Sequence, residues 1–412
     1  MMTFTIIFLA VLAVNLITQT WLATRHIKHV NRHRQQAPES FRDAISTDEH
    51  QKAADYTCSK TLFGIIEDHY GAFILLGWTV FGGLGFLDQS LRQFQWSSIT
   101  TGTVFIMSML VIGIALDLPS SLYKTFSIEQ RFGFNKMTAK LYVVDMIKQS
   151  ILMLLIGAPL VYAAIWLMEG MGKYWWFYLW LLWTGFSLLM LWLYPTVIAP
   201  LFNKFKPLED EDVKQHIENL LQRTGFKSRG VFVMDGSKRS AHGNAYFTGF
   251  GSNKRIVFFD TLLKQLTATE IEAVLAHELG HFKRKHIVKR ILLSFTISLA
   301  SLALLGWLVQ QSWFYQGLGV QQASHHAALA LFMLAGPVFG FFLQPIFAWG
   351  SRKHEFEADD YAAEFASAPE LISALVKMYK ENAATLTPDP LHSLFYDSHP
   401  PAPVRIAHLQ GQ

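Results

Sequence analysis

The segment His277-Glu278-Leu279-Gly280-His281 sets two imidazoles four positions apart, with a carboxylate next to the first. On a helix, residues i and i+4 share a face, so His277 and His281 can point ring nitrogens at one zinc ion while Glu278 stands beside it. A carboxylate there can take a proton from a water that the ion has acidified, which is the chemistry of amide hydrolysis. The plain alternative is a helix bearing two ordinary histidines, in a chain that has 16 of them. A catalytic zinc takes three protein ligands, so one more must come from elsewhere.

His286 lies half a turn away from His277 on a continuous helix and can share the ion only if that helix breaks. The longer pattern HExxHxxGxxH fails as well, because Arg284 and Ile287 occupy its last two fixed positions. The remaining source is SRKHEFEADDYAA at 351–363. Helical spacing puts Glu355 and Asp359 on one face and turns Glu357 away. Glu355 is the expected ligand, with His354 as its rival. Asp359, one turn on, can accept the free N–H of a zinc-bound imidazole and fix its tautomer. The bland reading is a solvated acidic helix end. In the tail HSLFYDSHPPAPVRIAHL at 392–409, Pro400 and Pro401 stiffen the chain after His399. A braced loop could hold His399 as a donor to a developing oxyanion, although a lone tail histidine is as easily just solvated.

These residues need a frame, and composition says which kind. With 51% hydrophobic and 16% charged residues the chain is too apolar for a soluble protein and reads as a multi-pass membrane protein. Apolar stretches at 4–23, 70–87, 98–116, 149–168, 174–194, 291–311 and 326–349 are each close to a helical bilayer crossing, giving seven spans. The first has its positive charges, Arg25 and Lys28, after the apolar run and no small-residue cleavage site, so it reads as a retained span. Basic residues crowd the loops after spans one and three, which puts the amino terminus outside and the carboxyl terminus and the HExxH segment in the cytoplasm. The single cysteine, Cys58, excludes an internal disulfide and a cysteine-ligated zinc. The net charge of +4 sits in loops and leaves no nucleic-acid footprint.

The one large polar insertion, 195–290, holds a helix at 212–224 stopped by Gly225, a strand at 231–234, and a hairpin of 244–251 and 254–260 around a Gly-Ser-Asn turn. The fold class is therefore an all-α multi-pass membrane protein with an inserted zincin-like domain carrying a small β-hairpin. Its expected divisions are spans one to five at 1–194, the catalytic insertion at 195–290, spans six and seven at 291–350, and a tail at 351–412. The hairpin can simply pack on the HExxH helix, or an exposed edge at Asn244, Ala245 and Tyr246 can hold an extended peptide by backbone hydrogen bonds.

Together HELGH, the SRxxExxAD-like run at 351–359, NAYFTGFG with KRIVFFDTLL, FGFNKMT at 132–138 and the SHPPxxxR tail closely resemble the integral-membrane CAAX prenyl proteases, zinc endopeptidases of the Ste24 type. The resemblance, to a member of bacterial type, runs from about residue 60 to the end. It implies zinc on His277, His281 and Glu355, Glu278 as base, and Asp359 behind a ligand. It further implies that Asn244 and Ala245 lie on the substrate-binding edge strand, that His399 and Arg405 border the site, and that seven spans enclose a large chamber with zinc at its cytoplasmic end. Ala241 and Gly243 depart from the pattern, standing where larger or polar residues are expected.

The expected activity is zinc-dependent cleavage of peptide bonds near the C-terminus of a membrane-associated substrate, lipidated or not, with one Zn2+ per chain. Arg405 is a candidate partner for the substrate's terminal carboxylate. Membrane lipids are the other expected partners, in a bacterial inner membrane or in the endoplasmic reticulum of a eukaryote. A quality-control protease for damaged membrane proteins is the alternative enzyme. A transporter or scaffold with a structural zinc is the alternative outside enzymes, and it lacks the fourth, typically cysteine, ligand.

Overall fold

The computed structural model describes residues 3–228, 230–248 and 255–411. Long apolar helices dominate it: α1 (Thr3–Arg32), α2 (Thr47–Trp78), α3 (Gly83–Arg92), α4 (Ser98–Phe132), α5 (Ala139–Gly170) and α6 (Gly172–Phe202) precede the polar insertion. Two more, α9 (His286–Leu308) and α10 (His325–Phe365), follow it. Six of these are individually long and apolar enough to cross a bilayer, and the pair α2 and α3, bent by 45°, brings the number to the expected seven when counted as one broken span. Their outer faces carry bare apolar side chains, such as Ile17, Leu155 and Leu292, each more than half exposed, as lipid-facing residues are.

The helices are widened locally where proline removes an amide donor. Pro159 cannot bond the carbonyl of Leu155, nor Pro200 that of Thr196, and those carbonyls fall inside π-helical turns at Met153–Gly157 and Tyr194–Ile198.

The insertion begins with β1 (Phe205–Pro207), followed by α7 (Glu211–Thr224), β2 (Val231–Met234), β3 (Ala245–Thr248), β4 (Arg255–Phe259) and α8 (Ala268–Lys283). Helix α7 buries Val213, Ile217, Leu220 and Thr224, one stripe of a 3.6-residue repeat, and ends at Gly225 in the left-handed conformation at φ 60°. The sheet order is β1-β2-β4-β3, with β2 and β4 parallel and the outer pairs antiparallel. The expected hairpin is thus one side of a four-stranded sheet, and β3 is an edge strand. Its turn at 249–254 lies outside the described residues. The entry to β3 is held from below: the backbone N–H of Ala241 donates to Phe134 at 3.0 Å, and His242 stacks on the Phe134 ring with centroids 4.2 Å apart. A side chain at Gly243 would bring a Cβ within 2.6 Å of Gln265 Oε1, which accounts for the small residue there.

Helix α8 starts in a capping box, Thr267 accepting from the Glu270 amide and Glu270 from that of Thr267. It is the most enclosed helix of the insertion: Ile271, Ala273, Leu275, Ala276 and Leu279 are all essentially inaccessible, packed in one core with Ile217, Phe258, Ala362 and Leu371. Beyond α10, α11 (Ala368–Glu381) and α12 (Ala402–Gln410) close over this core.

Candidate metal centre

Glycine sets the approach of the two helices that build the site. A Cβ at Gly280 would stand 2.9 Å from the Cα of Ala358, so only glycine lets the HExxH helix lie this close to the end of α10. That contact brings Glu355 and Asp359 against the histidines. His277 Nε2 lies 3.3 Å from His281 Nε2, Glu355 Oε1 is 3.3 Å from His281 Nε2, and Glu355 Oε2 is 3.5 Å from His277 Nε2. One ligand atom from each of the three residues lies within 4.8 Å of the others.

This arrangement fits a metal cation on chemical grounds. The Nδ1 of His277 meets Asp359 Oδ1 at 2.8 Å, which makes it the protonated nitrogen and leaves a lone pair on Nε2. His281 likewise turns Nε2 toward the same point. Two lone pairs and a carboxylate facing one another repel unless a cation lies among them, and Glu355 Oε2 is buried without any hydrogen-bond donor. Burial disfavours charge on His277, yet the hydrogen bonds it donates to Asp359 and Glu355 outweigh it and raise its pKa to about 9, so the pocket attracts positive charge, a proton or a metal ion.

Both imidazoles of the cluster are held from behind. For His277 the support is Asp359, fully buried and itself gripped by Arg405, whose Nε donates to Oδ2 at 2.9 Å. For His281 it is His286. The helix does break: Lys285 takes a left-handed conformation at φ 57°, α9 restarts at His286, and His286 Nδ1 comes to 3.0 Å from His281 Nδ1. The other nitrogen of His286 bonds Glu357 Oε2 at 2.9 Å, and its ring stacks on His354 at 4.0 Å. His286 and His354 are thus beside the cluster and not members of it, and Glu357, expected to point away, faces His286.

Glu278 is half-buried, has no hydrogen-bond partner among the described residues, and opens onto a cavity of about 1630 Å³. That cavity exceeds the 300–1,000 Å³ usual for small-ligand pockets. Its walls are apolar side chains from the spans, including Leu110, Val161, Leu182 and Leu302, while Glu278, His281, Glu355 and His399 stand together in its wall. The His399 side chain is 64% exposed into this space, with Nε2 3.5 Å from Glu355 Oε1 and Nδ1 3.0 Å from the Ser398 hydroxyl. Tyr246 and Phe247 of β3 also line it. Asn244 is exposed at the start of the strand, its carbonyl accepting from the Phe259 amide, and Ala245 pairs with Phe258.

Arg405 corrects an expectation. It is 6% exposed, does not line the cavity, and has its guanidinium occupied by both oxygens of Asp359, so it is not available to a substrate carboxylate. Sequence reasoning also missed β1, the Lys285 break and Ser398. The first is too short for a periodic signal, and the break sits in a run of good helix formers.

Comparison with known proteins gives the family and the fold. A family model described as the CAAX prenyl protease N-terminal region, with five membrane helices, matches residues 26–204, and one for peptidase family M48 matches 207–412. The chain is 36% identical to a CAAX prenyl protease 1 homolog of Arabidopsis thaliana, covering 91% of this chain and 90% of that protein. It is 32% identical to CAAX prenyl protease 1 of Saccharomyces cerevisiae, covering 90% and 88%. The crystal structure of S. mikatae Ste24p superposes with a TM-score of 0.92 at 31% identity, over 99% of both chains. Fold and site together define a multi-pass integral-membrane metalloendopeptidase acting on peptide or protein substrates. The chain belongs to peptidase family M48, in the branch whose membrane-spanning half is that of the CAAX prenyl proteases.

Proposed function

We propose that this protein is a zinc endopeptidase that cleaves near the C-terminus of membrane-associated proteins, prenylated CAAX proteins among them. The observation that carries the reading is the juxtaposition of the His277, His281 and Glu355 cluster with a large apolar cavity and a sheet edge that lines it. The relatives' names supply the substrate class, a C-terminal cysteine motif bearing an isoprenoid. His277, His281 and Glu355 would hold the ion, which when bound acidifies water and polarises a carbonyl. Glu278 takes the proton of the attacking water and delivers it to the leaving amine nitrogen. The Ser398 hydroxyl, donating to His399 Nδ1, leaves Nε2–H free to meet the carbonyl oxygen as it gains charge. The edge of β3 that faces away from β4, along Asn244, Ala245 and Tyr246, aligns the peptide as an added strand, the Asn244 carbonyl itself being taken by Phe259.

Matched peptides, farnesylated and free, assayed in one detergent test the substrate. Both are expected to be cut, with the lipid lowering KM more than it raises kcat, because it contacts the cavity wall far from the reacting bond. A lipid requirement expressed in kcat would overturn that division, and indifference in both constants would favour a quality-control protease.

The chain Glu357–His286–His281 predicts a second result. With His281 Nε2 toward the metal, its Nδ1–H donates to His286 Nδ1, and His286 Nε2–H donates to Glu357. His286→Ala is expected to weaken zinc binding by about 10- to 100-fold in competition with a chelator. Unchanged affinity would reduce His286 to a packing residue.

The loop charges support a cytoplasmic site and tail. In a Cys58→Ser background, Gln321→Cys is expected to label from outside and Gln410→Cys from the cytoplasm. Labelling of both from one side would refute this orientation.

A further inference from the structure

Helix α9 leaves the metal centre and runs along the cavity, presenting to it His286, Lys289, Arg290, Leu293, Ile297 and Ser301 at the spacing of one helical face. Val288 and Leu292, 49% and 61% exposed, occupy the opposite face. Basic residues at a membrane boundary ordinarily reach outward to lipid headgroups. These two instead share the face of His286, which touches His281.

Among the described residues, Lys289 and Arg290 are the only Lys or Arg lining the cavity, and neither side chain has an ion-pair partner there. The nearby Glu357 feels the charge of Lys289 without forming a salt bridge to it; it accepts from His286 and does not line the cavity. The remaining cation close to the metal centre, Arg405, is paired with Asp359. Both side chains are exposed, so two cations on the cavity wall are free to meet an anionic group of a molecule that enters it.

We propose that Lys289 and Arg290 bind the free C-terminal carboxylate of the substrate and so fix how far from the chain end the protein cuts. This rests on the peptidase reading above and adds to it the residues that select for a chain terminus. The dimensions agree. Lys289 and Arg290 lie about 5 Å along the helix from His286, at 1.5 Å per residue. An extended peptide advances about 3.3 Å per residue, so this rise is covered by one or two residues beyond the level of His286. Arginine offers a carboxylate two parallel N–H donors and lysine adds a mobile charge, a combination suited to a terminus whose last residue varies. A peptide continuing past this point, or ending in an uncharged amide, loses the pairing.

The test uses the full-length zinc-loaded protein in detergent with two peptides of one sequence, ending in cysteine and three apolar residues, one as the free acid and the other as the carboxamide. The wild type is expected to favour the acid in kcat/KM by about 10- to 100-fold, the range for charge-assisted hydrogen bonds. In Lys289→Ala/Arg290→Ala the acid-to-amide ratio should fall toward one. In Lys289→Glu/Arg290→Glu it should invert. A wild-type ratio of one would overturn the proposal, as would a ratio unchanged in the alanine variant. If that variant lost both peptides by one factor, the cations would serve another anion, such as a lipid phosphate, and the proposal would fall. Failure of the wild type to cut either peptide, with zinc bound, would instead bring down the peptidase reading itself.

Discussion

Glu278→Gln is expected to bind zinc as the wild type does and to lose about 10⁴-fold in kcat, the upper end of what general acid–base catalysis contributes. The upper end applies because the same carboxylate serves twice, taking a proton from water and returning it to the amine. The structure gives it freedom for both: Glu278 has no hydrogen-bond partner among the described residues and faces the cavity, whereas the carboxylate of Glu355 is buried and aimed at two imidazoles. Gln keeps the shape and removes only the proton acceptor. His281→Ala and Glu355→Ala should differ in kind, losing metal along with turnover, since each removes one of the three proposed ligands. Metal content per chain and single-turnover cleavage separate the cases. Equal metal loss in all three variants would make Glu278 a ligand and refute the assignment.

Much of this was legible in the sequence because the signals were periodic. The apolar runs mark the spans, Gly225 marks the end of α7, and the i, i+4 rule puts Glu355 and Asp359 on one face, where both meet His277. What could not be read depends on non-local packing or on a single dihedral. Nothing local predicts that Lys285 adopts a positive φ, and on a continuous helix His286 would point away from the metal centre. Arg405 shows the other limit. Its charge is evident from sequence, but whether it meets substrate or Asp359 is decided by where α12 docks, and burial beneath that helix decides for Asp359. Gly280 was visible only as part of a motif, and the close approach of Ala358 gives it a physical reason.

The burial of Arg405 leads to the second large effect. Asp359 is fully buried, and its carboxylate is held by the guanidinium on one side and the His277 imidazole on the other. Removing one member of a buried pair leaves a charge in a poor solvent, at a cost of about 3–5 kcal/mol. Arg405→Ala is therefore expected to lower the unfolding midpoint in detergent markedly and to loosen α12 from α10. Adding Asp359→Asn should return part of that stability, because the amide removes the orphaned charge while still accepting from His277 Nδ1–H. It should not return metal affinity. A neutral amide cannot raise the basicity of the imidazole as a carboxylate does, so Asp359→Asn alone and the double variant should both bind zinc about 10- to 100-fold more weakly than the wild type. The four proteins form a double-mutant cycle read twice, once by thermal unfolding with a chelator present and once by zinc competition. The stability cycle should show strong coupling, and the affinity of the double variant should match that of Asp359→Asn. If Arg405→Ala is as stable as the wild type, the charge on Asp359 is balanced by His277 alone, and Arg405 is not what holds that carboxylate in place.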